Sequence, residues 1–390
     1  MVSELVNQRA YATEAGTRRF VERHSQGRPD DAFSHVGMLH LSSLGLGTYL
    51  GPATDEGDVS YIEAVVEAVR QGINVIDTAA NYRHQRSERA VGVAIGQLIA
   101  MGEVYRSELL VASKAGFVAF DGVVPGDRAQ HCVEVTVGHG LAAPDELMAR
   151  CHCIAPDFIA ASLDRSLVNL GLETVDVYFL HNPETQLHEL TADVFYERLR
   201  RAFARLEQAA DEGKVRVYGI ATWSGLRARP DERDHVSLER VLACAEEVAG
   251  SRHRCRAIQL PLNVLMPEAA TFRCQSVKGQ WLTPLEAAAE LGLVAFTSGT
   301  LHQGRLATNG TSDALPLIPD AAGGPERLLT ADDALQFARS VDGVTTALVG
   351  MADIEHVRAN VASLKAGRPT RSWVEALLQR FATPARGLGG

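Results

Sequence analysis

The sequence has little basic charge, few cysteines and no long apolar run. Lysine and arginine total 38 residues against 48 aspartates and glutamates, which gives a formal charge of -10. No run of lysines or arginines is long enough to form a basic patch, which argues against a nucleic acid or an anionic membrane as partner. Six cysteines in 390 residues are too few for a disulfide scaffold. The composition favours a globular protein that binds small molecules.

Membrane and nucleotide-binding signals are also absent. No window approaches the roughly 20 apolar residues that span a bilayer, and residues 1–5 are not a basic region followed by an apolar one. We therefore expect a cytoplasmic protein. No phosphate loop ending in Gly-Lys-Ser/Thr is present. The Gly-Leu-Gly at 45–47 is not a dinucleotide fingerprint, because Leu50 stands where the third glycine should fall.

What the sequence does contain is a regular alternation of apolar strands and amphipathic helices. Ile62, Val65 and Val69 recur at helical spacing, and Gly72 follows where a helix should end. The same periodicity predicts strands at 44–48, 73–77, 109–114, 175–181, 215–221, 256–260, 293–298 and 345–349, and helices near 62–69, 87–100, 159–170, 199–206, 237–249, 283–291, 331–341 and 353–365. Eight such units predict an α/β fold, a closed, parallel (β/α)8 TIM barrel.

The barrel is predicted as a single domain at 35–390, after an N-terminal extension at 1–34. Residues 35–41 fit a small hairpin. An insertion at 117–156 is too long for a plain βα loop, and we expect it to cover the catalytic face. It carries His131, Cys132, His139, Cys151, His152 and Cys153. The close spacing of Cys151 and Cys153, with no second matched pair, favours a packed lid and no metal site.

Polar side chains stand at the ends of three consecutive predicted strands. Asp77, Lys114 and His181 each end an apolar run, and Tyr82 follows five residues after the aspartate. Singly, these are read as a helix-capping aspartate, a lysine whose stem packs on apolar surface, and a hydrogen-bonded histidine. Together they indicate an active site, because the carboxyl ends of barrel strands converge on one face.

The four side chains make chemical sense as a hydride-transfer site. A tyrosine has an ordinary pKa of about 10, and the nearby ammonium of Lys114 would favour its phenolate. Asp77 would pair with the lysine and hold it charged and oriented. His181 would hydrogen-bond the substrate oxygen or share in relaying the proton.

These residues resemble the aldo-keto reductase family. The resemblance covers about 36–365 and rests on Asn-Val-Ile-Asp-Thr-Ala at 74–79 with Tyr82, Val-Ala-Ser-Lys at 111–114, and Phe-Leu-His-Asn-Pro at 179–183. Ser87 and Glu88 after the tyrosine also fit. The family implies a (β/α)8 barrel, NADPH bound across its C-terminal face, and reversible reduction of an aldehyde or ketone to an alcohol. It implies Tyr82 as general acid, with Lys114, Asp77 and His181 completing the catalytic set.

The resemblance also implies a set of cofactor-binding residues. They are Gly47, Thr48, Tyr49, Asp77, Thr222, Gln259, Phe296, Gln303, Gly304, Gly350 and Asn360. The chain departs from the family at Ala221 and Thr222, where Ser-Asn is usual, and at Phe296, which replaces a tyrosine that stacks on nicotinamide. A phenylalanine can still stack.

The adenosine end departs most from the family. Ala352 and Asp353 stand where a cation or hydroxyl commonly meets the 2′-phosphate, and an aspartate repels a phosphate. Arg358 would compensate, unless it is a solvated surface arginine. We expect NADP(H) as the cofactor, with NAD(H) as the alternative.

Three further residues are candidates for substrate contacts. Arg83 and Arg86 suit a substrate that carries a carboxylate or phosphate, or else form surface salt bridges. Trp223 would line the binding site of an aromatic or sugar-like substrate, or would simply pack against neighbouring side chains.

The sequence therefore predicts an NAD(P)-dependent oxidoreductase whose partner is a small carbonyl compound or alcohol. Two alternatives stay open: a nicotinamide-binding regulatory subunit without catalysis, and a redox-neutral enzyme whose nicotinamide never exchanges. A homo-oligomer is compatible with all three.

Overall fold

Eight parallel strands close into a barrel in the order β11-β14-β3-β4-β5-β6-β7-β8. The computed structural model describes residues 11–307, 315–321 and 324–382. The barrel strands are β3 (Leu44–Gly47), β4 (Val75–Asp77), β5 (Leu110–Ala115), β6 (Val175–His181), β7 (Val215–Ala221), β8 (Cys255–Pro261), β11 (Val294–Ser298) and β14 (Val344–Gly350). The predicted (β/α)8 barrel is thus confirmed.

Helices pack around the barrel and bury apolar faces against it. They are α1 (Glu14–His24), α2 (Asp55–Arg70), α3 (Arg86–Ala100), α4 (Arg128–Val133), α5 (Pro156–Leu170), α6 (Ala192–Asp211), α7 (Leu238–Ala249), α8 (Glu268–Thr271), α9 (Pro284–Glu290), α10 (Ala331–Ser340), α11 (Ile354–Lys365) and α12 (Arg371–Phe381). The predicted spacing holds in α2, where Val65 and Val69 are buried. Thr54 caps this helix by accepting from the Gly57 amide.

Three antiparallel hairpins lie outside the barrel sheet. They are β1 (Phe33–Val36) with β2 (Leu39–Ser42), β9 (Gln275–Val277) with β10 (Gln280–Leu282), and β12 (Leu317–Ile318) with β13 (Arg327–Leu328). The first corresponds to the hairpin predicted at 35–41. The other two hairpins were not predicted, because two- and three-residue strands carry too little periodicity. Helix α12 was not predicted either.

Close strand packing explains one glycine inside the barrel. A Cβ at Gly219 in β7 would lie 1.7 Å from the Ala257 carbonyl oxygen in β8. No side chain fits in that gap, so β7 and β8 can approach only with glycine at this position.

The described part of the predicted N-terminal extension is docked on the barrel. Phe20 of α1 is fully buried, and Arg19 and Arg23 both pair with the buried Glu108. The Ala12 amide donates to Asp176 Oδ1 at 2.6 Å. Residues 1–10 lie outside the described residues. No helix in the described ranges is both long and apolar enough to span a bilayer.

A buried ion pair joins this segment to the strands. Arg106 Nη2 lies 2.6 Å from Asp176 Oδ2, and the two side chains are 1% and 5% exposed. Asp176 Oδ2 also accepts from the Val111 amide of β5 at 2.8 Å. Arg106 donates in addition to the Thr174 carbonyl at 3.0 Å. Asp176 thus holds the N-terminal segment, β5 and Arg106 together.

Replacing Asp176 with asparagine should strongly destabilise the fold. The change leaves Arg106 buried without its counter-charge, so the free energy of unfolding should fall by about 3–5 kcal/mol. Urea denaturation of wild type and Asp176→Asn measures this difference. The control is Asp342→Asn, because Asp342 and Arg371 form a pair in which both side chains are 77% exposed. Its loss should cost under about 1 kcal/mol. Equal effects of the two changes would contradict the role of burial.

Candidate active site

An elongated cavity of about 720 Å³ opens at the carboxyl ends of the barrel strands. Its walls include most of the predicted site residues: Gly47, Thr48, Tyr49, Asp77, Tyr82, His181, Thr222, Trp223, Gln259, Gln303, Gly304, Gly350 and Asn360. The cavity therefore joins the predicted catalytic group at one end to the predicted adenosine end at the other.

Lys114 lies at the centre of the catalytic group. Its Nζ is 2.6 Å from Asp77 Oδ2, 3.2 Å from Tyr82 Oη and 3.0 Å from the Thr78 carbonyl oxygen. The lysine side chain is fully buried, and that of Asp77 is 7% exposed. Three acceptors thus fix the buried ammonium directly behind the tyrosine hydroxyl.

The second oxygen of Asp77 is held from across the barrel. Gln259 Nε2 donates to Asp77 Oδ1 at 2.8 Å. With Lys114 on the other oxygen, both oxygens of the carboxylate have a protein donor. Gln259 therefore orients the catalytic group as well as lining the cavity, a role that sequence reasoning did not assign to it.

Burial and charge together set the protonation of Tyr82 and Lys114. Burial raises the pKa of Tyr82, and although the Lys114 charge opposes this, the pKa stays above its ordinary value. Burial alone would lower the pKa of Lys114, but Asp77 and Tyr82 outweigh it and raise that pKa. At neutral pH the site thus holds a protonated phenol beside an ammonium. The sequence-based expectation that Lys114 favours the phenolate omitted the burial of Tyr82.

His181 presents a neutral imidazole to the same site. Burial, the Lys114 charge and His152 hold the pKa of His181 well below 6.5. Its ring meets the Tyr82 ring edge-on, with 5.6 Å between centroids. Its Nδ1 is buried, and no hydrogen-bond partner for it occurs among the described residues. The imidazole can therefore hydrogen-bond a ligand but does not act as a cationic acid near pH 7.

The cavity also offers groups that suit a nicotinamide cofactor. Thr222 Oγ1 is buried at the wall, without a hydrogen-bond partner in the described chain. Such an orphaned hydroxyl costs about 1–3 kcal/mol, and a ligand amide would satisfy it. The loop at 299–304 turns sharply, with positive φ at Gly299, His302, Gln303 and Gly304. Its Gln303 and Gly304 face the cavity between its two ends. The elongated shape and these groups fit an extended dinucleotide.

The structure does not place Phe296 on the cavity wall. Its ring is 2% exposed and packs edge-on against Phe179 inside the barrel, with 6.2 Å between centroids. Strand β11 continues two residues beyond it, so Ser298 and Gly299 reach the cavity instead. The predicted stacking on nicotinamide therefore does not match this position of the ring.

Arg83 and Arg86 also lie away from the cavity. Arg83 is 2.5 Å from Asp58 Oδ1, donates to the Pro52 carbonyl at 2.8 Å and lies over the Tyr61 ring. Arg86 pairs with Asp58 at 2.5 Å and with Asp55. Both guanidinium groups are engaged by carboxylates on α2, so the salt-bridge alternative describes them. Trp223, in contrast, lines the cavity and is 41% exposed.

Side chains from outside the insertion at 117–156 anchor it to the barrel. Its backbone is fixed by Gln85, which donates to the Phe120 carbonyl, and by Glu189, which accepts from the Ala149 amide. Phe117 is the residue of this segment on the cavity wall. The lid over the catalytic face stays a prediction, and these contacts show which side chains outside the insertion anchor it. The described residues contain no cluster of three or more potential metal ligands.

The far end of the cavity carries little positive charge. Asp353 caps α11 by accepting from the His356 amide, and its other oxygen is 3.0 Å from His356 Nδ1. Arg358 pairs with Glu355 and Glu67. The Arg358 guanidinium is thus held by these two carboxylates on the outer face of the helix.

Several wall residues were not found from the sequence, and Phe117 and His356 are among them. Phe117 follows the end of β5 by two residues, and His356 lies within the first turn of α11. The signal available in the sequence was their position: Phe117 comes shortly after a strand end, and His356 comes shortly after a helix start.

Comparisons with known proteins identify a matching family model and several relatives. The Aldo/keto reductase family model matches residues 43–229. The NADH-specific methylglyoxal reductase of Escherichia coli is 30% identical over 195 residues, which cover 47% of this chain and 49% of that protein. The chain spans about half the length of the first curated relatives that it matches.

Solved structures share the barrel. An aldo-keto reductase from Bacillus halodurans superposes with a TM-score of 0.61 at 20% identity, over 91% of this chain and 98% of that one. An aldo/keto reductase from Klebsiella pneumoniae, in complex with NADP and acetate, gives a TM-score of 0.58 at 20% identity, over 91% and 97%. Together, these comparisons show that the chain is similar to aldo-keto reductases, in sequence over residues 43–229 and in its barrel fold.

Proposed function

We propose that this protein is an NAD(P)H-dependent oxidoreductase that reduces an aldehyde or ketone to an alcohol, or catalyses the reverse reaction. The observation that carries the proposal is Lys114 Nζ, 2.6 Å from Asp77 and 3.2 Å from the Tyr82 hydroxyl, directly behind two residues that line the cavity. This arrangement matches a proton donor with a fixed positive charge behind it.

Each side chain has a role in that reaction. The nicotinamide cofactor, when bound, supplies the hydride. Tyr82 donates its proton to the substrate oxygen, and the Lys114 ammonium stabilises the phenolate that remains. Asp77 keeps the ammonium charged and in place. Neutral His181 hydrogen-bonds the same oxygen and orients the carbonyl over Tyr82.

The cofactor is proposed to be NADP(H), with NAD(H) as the alternative. Thr222 would bind the carboxamide, Gln303 and Gly304 the pyrophosphate, and Gly350 with Asn360 the adenosine. NADP is bound in the Klebsiella pneumoniae relative, whereas the Escherichia coli relative is named as NADH-specific. Few cations lie near Ala352 to bind a 2′-phosphate, so NAD(H) remains the alternative.

The two alternatives are weaker on chemical grounds. A regulatory subunit that only binds nicotinamide has no need of a buried ion pair behind a tyrosine hydroxyl. A redox-neutral enzyme would use the same residues but would not exchange its cofactor. Net oxidation of added NADPH or NADH by a carbonyl compound separates the proposed reductase from both.

Tyr82→Phe should abolish most of the turnover. Loss of the general acid should lower kcat for carbonyl reduction about 10²- to 10⁴-fold, while the ring still packs. Cofactor absorbance measures the rate with a panel of carbonyl compounds, and fluorescence titration measures the cofactor Kd, which should stay unchanged. An unaltered kcat in this variant would remove Tyr82 as the proton donor.

The pH dependence of kcat should follow the tyrosine and not the histidine. Reduction requires protonated Tyr82, so the rate should be level at neutral pH and fall only in alkaline solution, as the raised pKa of Tyr82 is passed. No inflection should occur near pH 6.5, because the pKa of His181 lies well below it. The pH–rate profile of wild type and of the residual Tyr82→Phe activity tests this. A wild-type inflection near 6.5 would identify a cationic histidine as the acid.

Ala352→Arg should shift cofactor preference towards NADPH. A guanidinium there would pair with the 2′-phosphate and raise the NADPH-to-NADH affinity ratio about tenfold at low salt. Fluorescence titrations with both cofactors give the ratio. The matched control, Arg358→Ala, should leave it unchanged, because that arginine is held by Glu67 and Glu355. An unchanged ratio in Ala352→Arg would place the 2′-phosphate elsewhere.

A further inference from the structure

The two ends of the insertion meet beside His181. Phe117 and His152 pair as an isolated antiparallel bridge, and their rings pack edge-on with 4.9 Å between centroids. The Phe117 ring also packs edge-on against the His181 ring, at 5.3 Å. The insertion thus contributes two side chains to the surroundings of a proposed catalytic residue.

His152 contacts the backbone of His181 directly. Its Nε2 lies 2.8 Å from the His181 carbonyl oxygen, in a fully buried position. The register of β5 with β6 ends at the pair Ala115 and Leu180, one residue before His181. The imidazole therefore takes the place that a backbone donor would occupy if the ladder continued.

Gly116 makes room for this contact. It has a φ of +151°, and a Cβ there would lie 2.6 Å from the His181 carbonyl oxygen and 2.8 Å from His152 Nε2. Its own carbonyl accepts from the Cys153 amide at 2.7 Å, which brings the end of the insertion back to the strand. A side chain at position 116 would separate the imidazole from the carbonyl.

A chain of hydrogen bonds selects the tautomer of His152. Arg198 Nη1 donates to Gln186 Oε1 at 3.3 Å, so the Gln186 amide nitrogen faces His152. That nitrogen lies 2.9 Å from His152 Nδ1, which must accept. The proton then sits on Nε2 and is donated to the His181 carbonyl. Burial lowers the pKa of His152 to about 4, so the ring is neutral at physiological pH.

The peptide after His181 is consequently held on two sides. The Asn182 amide donates to the Ala221 carbonyl of β7 at 2.6 Å, and the His181 carbonyl accepts from His152. Asn182 has a φ of +47°, where a non-glycine residue needs support from its surroundings. With both polar groups of this peptide fixed, the direction of the His181 side chain is fixed as well.

We propose that His152 is a positioning residue, which holds His181 through its backbone carbonyl in the orientation that meets the substrate oxygen. The insertion thus supports the catalytic histidine, with Phe117 packed against the same ring. The kinetic part of this proposal rests on the proposed reductase function. The orientation of His181 does not, and it is measured separately.

Three variants test the proposal by kinetics. His152→Leu removes the donor and should lower kcat/KM for carbonyl reduction about 10- to 100-fold through loss of orientation, with an unchanged cofactor Kd. His152→Gln keeps a donor near the Nε2 position and should retain kcat/KM within about 3-fold of wild type. Cys132→Ala alters the buried core of the insertion without touching His181, and it controls for general loosening of that segment. It should have wild-type kinetics.

A spectroscopic measurement reports the orientation of the His181 ring and does not require catalytic turnover. In protein labelled with 15N-histidine, the His181 ring signals, assigned by their loss in His181→Asn, should shift in His152→Leu and return in His152→Gln. If His152→Leu fails to fold, His152→Asn takes its place, because its amide is too short to reach the carbonyl.

Wild-type kcat/KM and unshifted His181 signals in the donor-free variant would overturn the proposal. Equal defects in the Leu and Gln variants would also overturn it. A wild type without turnover would refute the reductase function alone.

Discussion

The buried ion pair of Lys114 and Asp77 is the interaction on which the rest of the site depends. Removing two charges from water is costly, and their attraction offsets that cost only when the remaining donors and acceptors are also satisfied. Here Gln259 binds the second carboxylate oxygen and the Thr78 carbonyl accepts from the ammonium. The barrel mouth thus holds a positive charge at a fixed place beside Tyr82.

Burial and the charge of Lys114 together set the protonation of the two neighbouring groups. Tyr82 stays protonated because its burial outweighs the attraction of Lys114, and His181 stays neutral because burial and the ammonium act in the same direction. A protonated phenol and a neutral imidazole are the forms that a carbonyl oxygen requires of a donor and an orienting group. The low dielectric of the site therefore determines the division of roles.

The barrel, and the meeting of Asp77, Lys114 and His181 near its carboxyl end, could be predicted because both follow from local patterns. Helical spacing and short apolar runs gave eight units, and Asp77, Lys114 and His181 each ended one of them. The rest depends on distant side chains. Arg83 lies away from the cavity because Asp58 engages it, and the insertion is anchored by Gln85 and Glu189. Phe296 faces inward because its position in β11 points its ring into the barrel, against Phe179. No local spacing encodes such partners.

The hydrogen bond from Gln259 to Asp77 has a consequence for how the protein acquires its activity. In the closed order of strands, β8 stands opposite β4, and 182 residues separate the two partners. An amino-terminal half of the barrel would contain Asp77, Tyr82, Lys114 and His181, yet would leave one carboxylate oxygen without its donor. During synthesis, the site therefore matures late, after a contact of high sequence separation that is slow to form. Nascent chains would bear the catalytic residues well before they could use them.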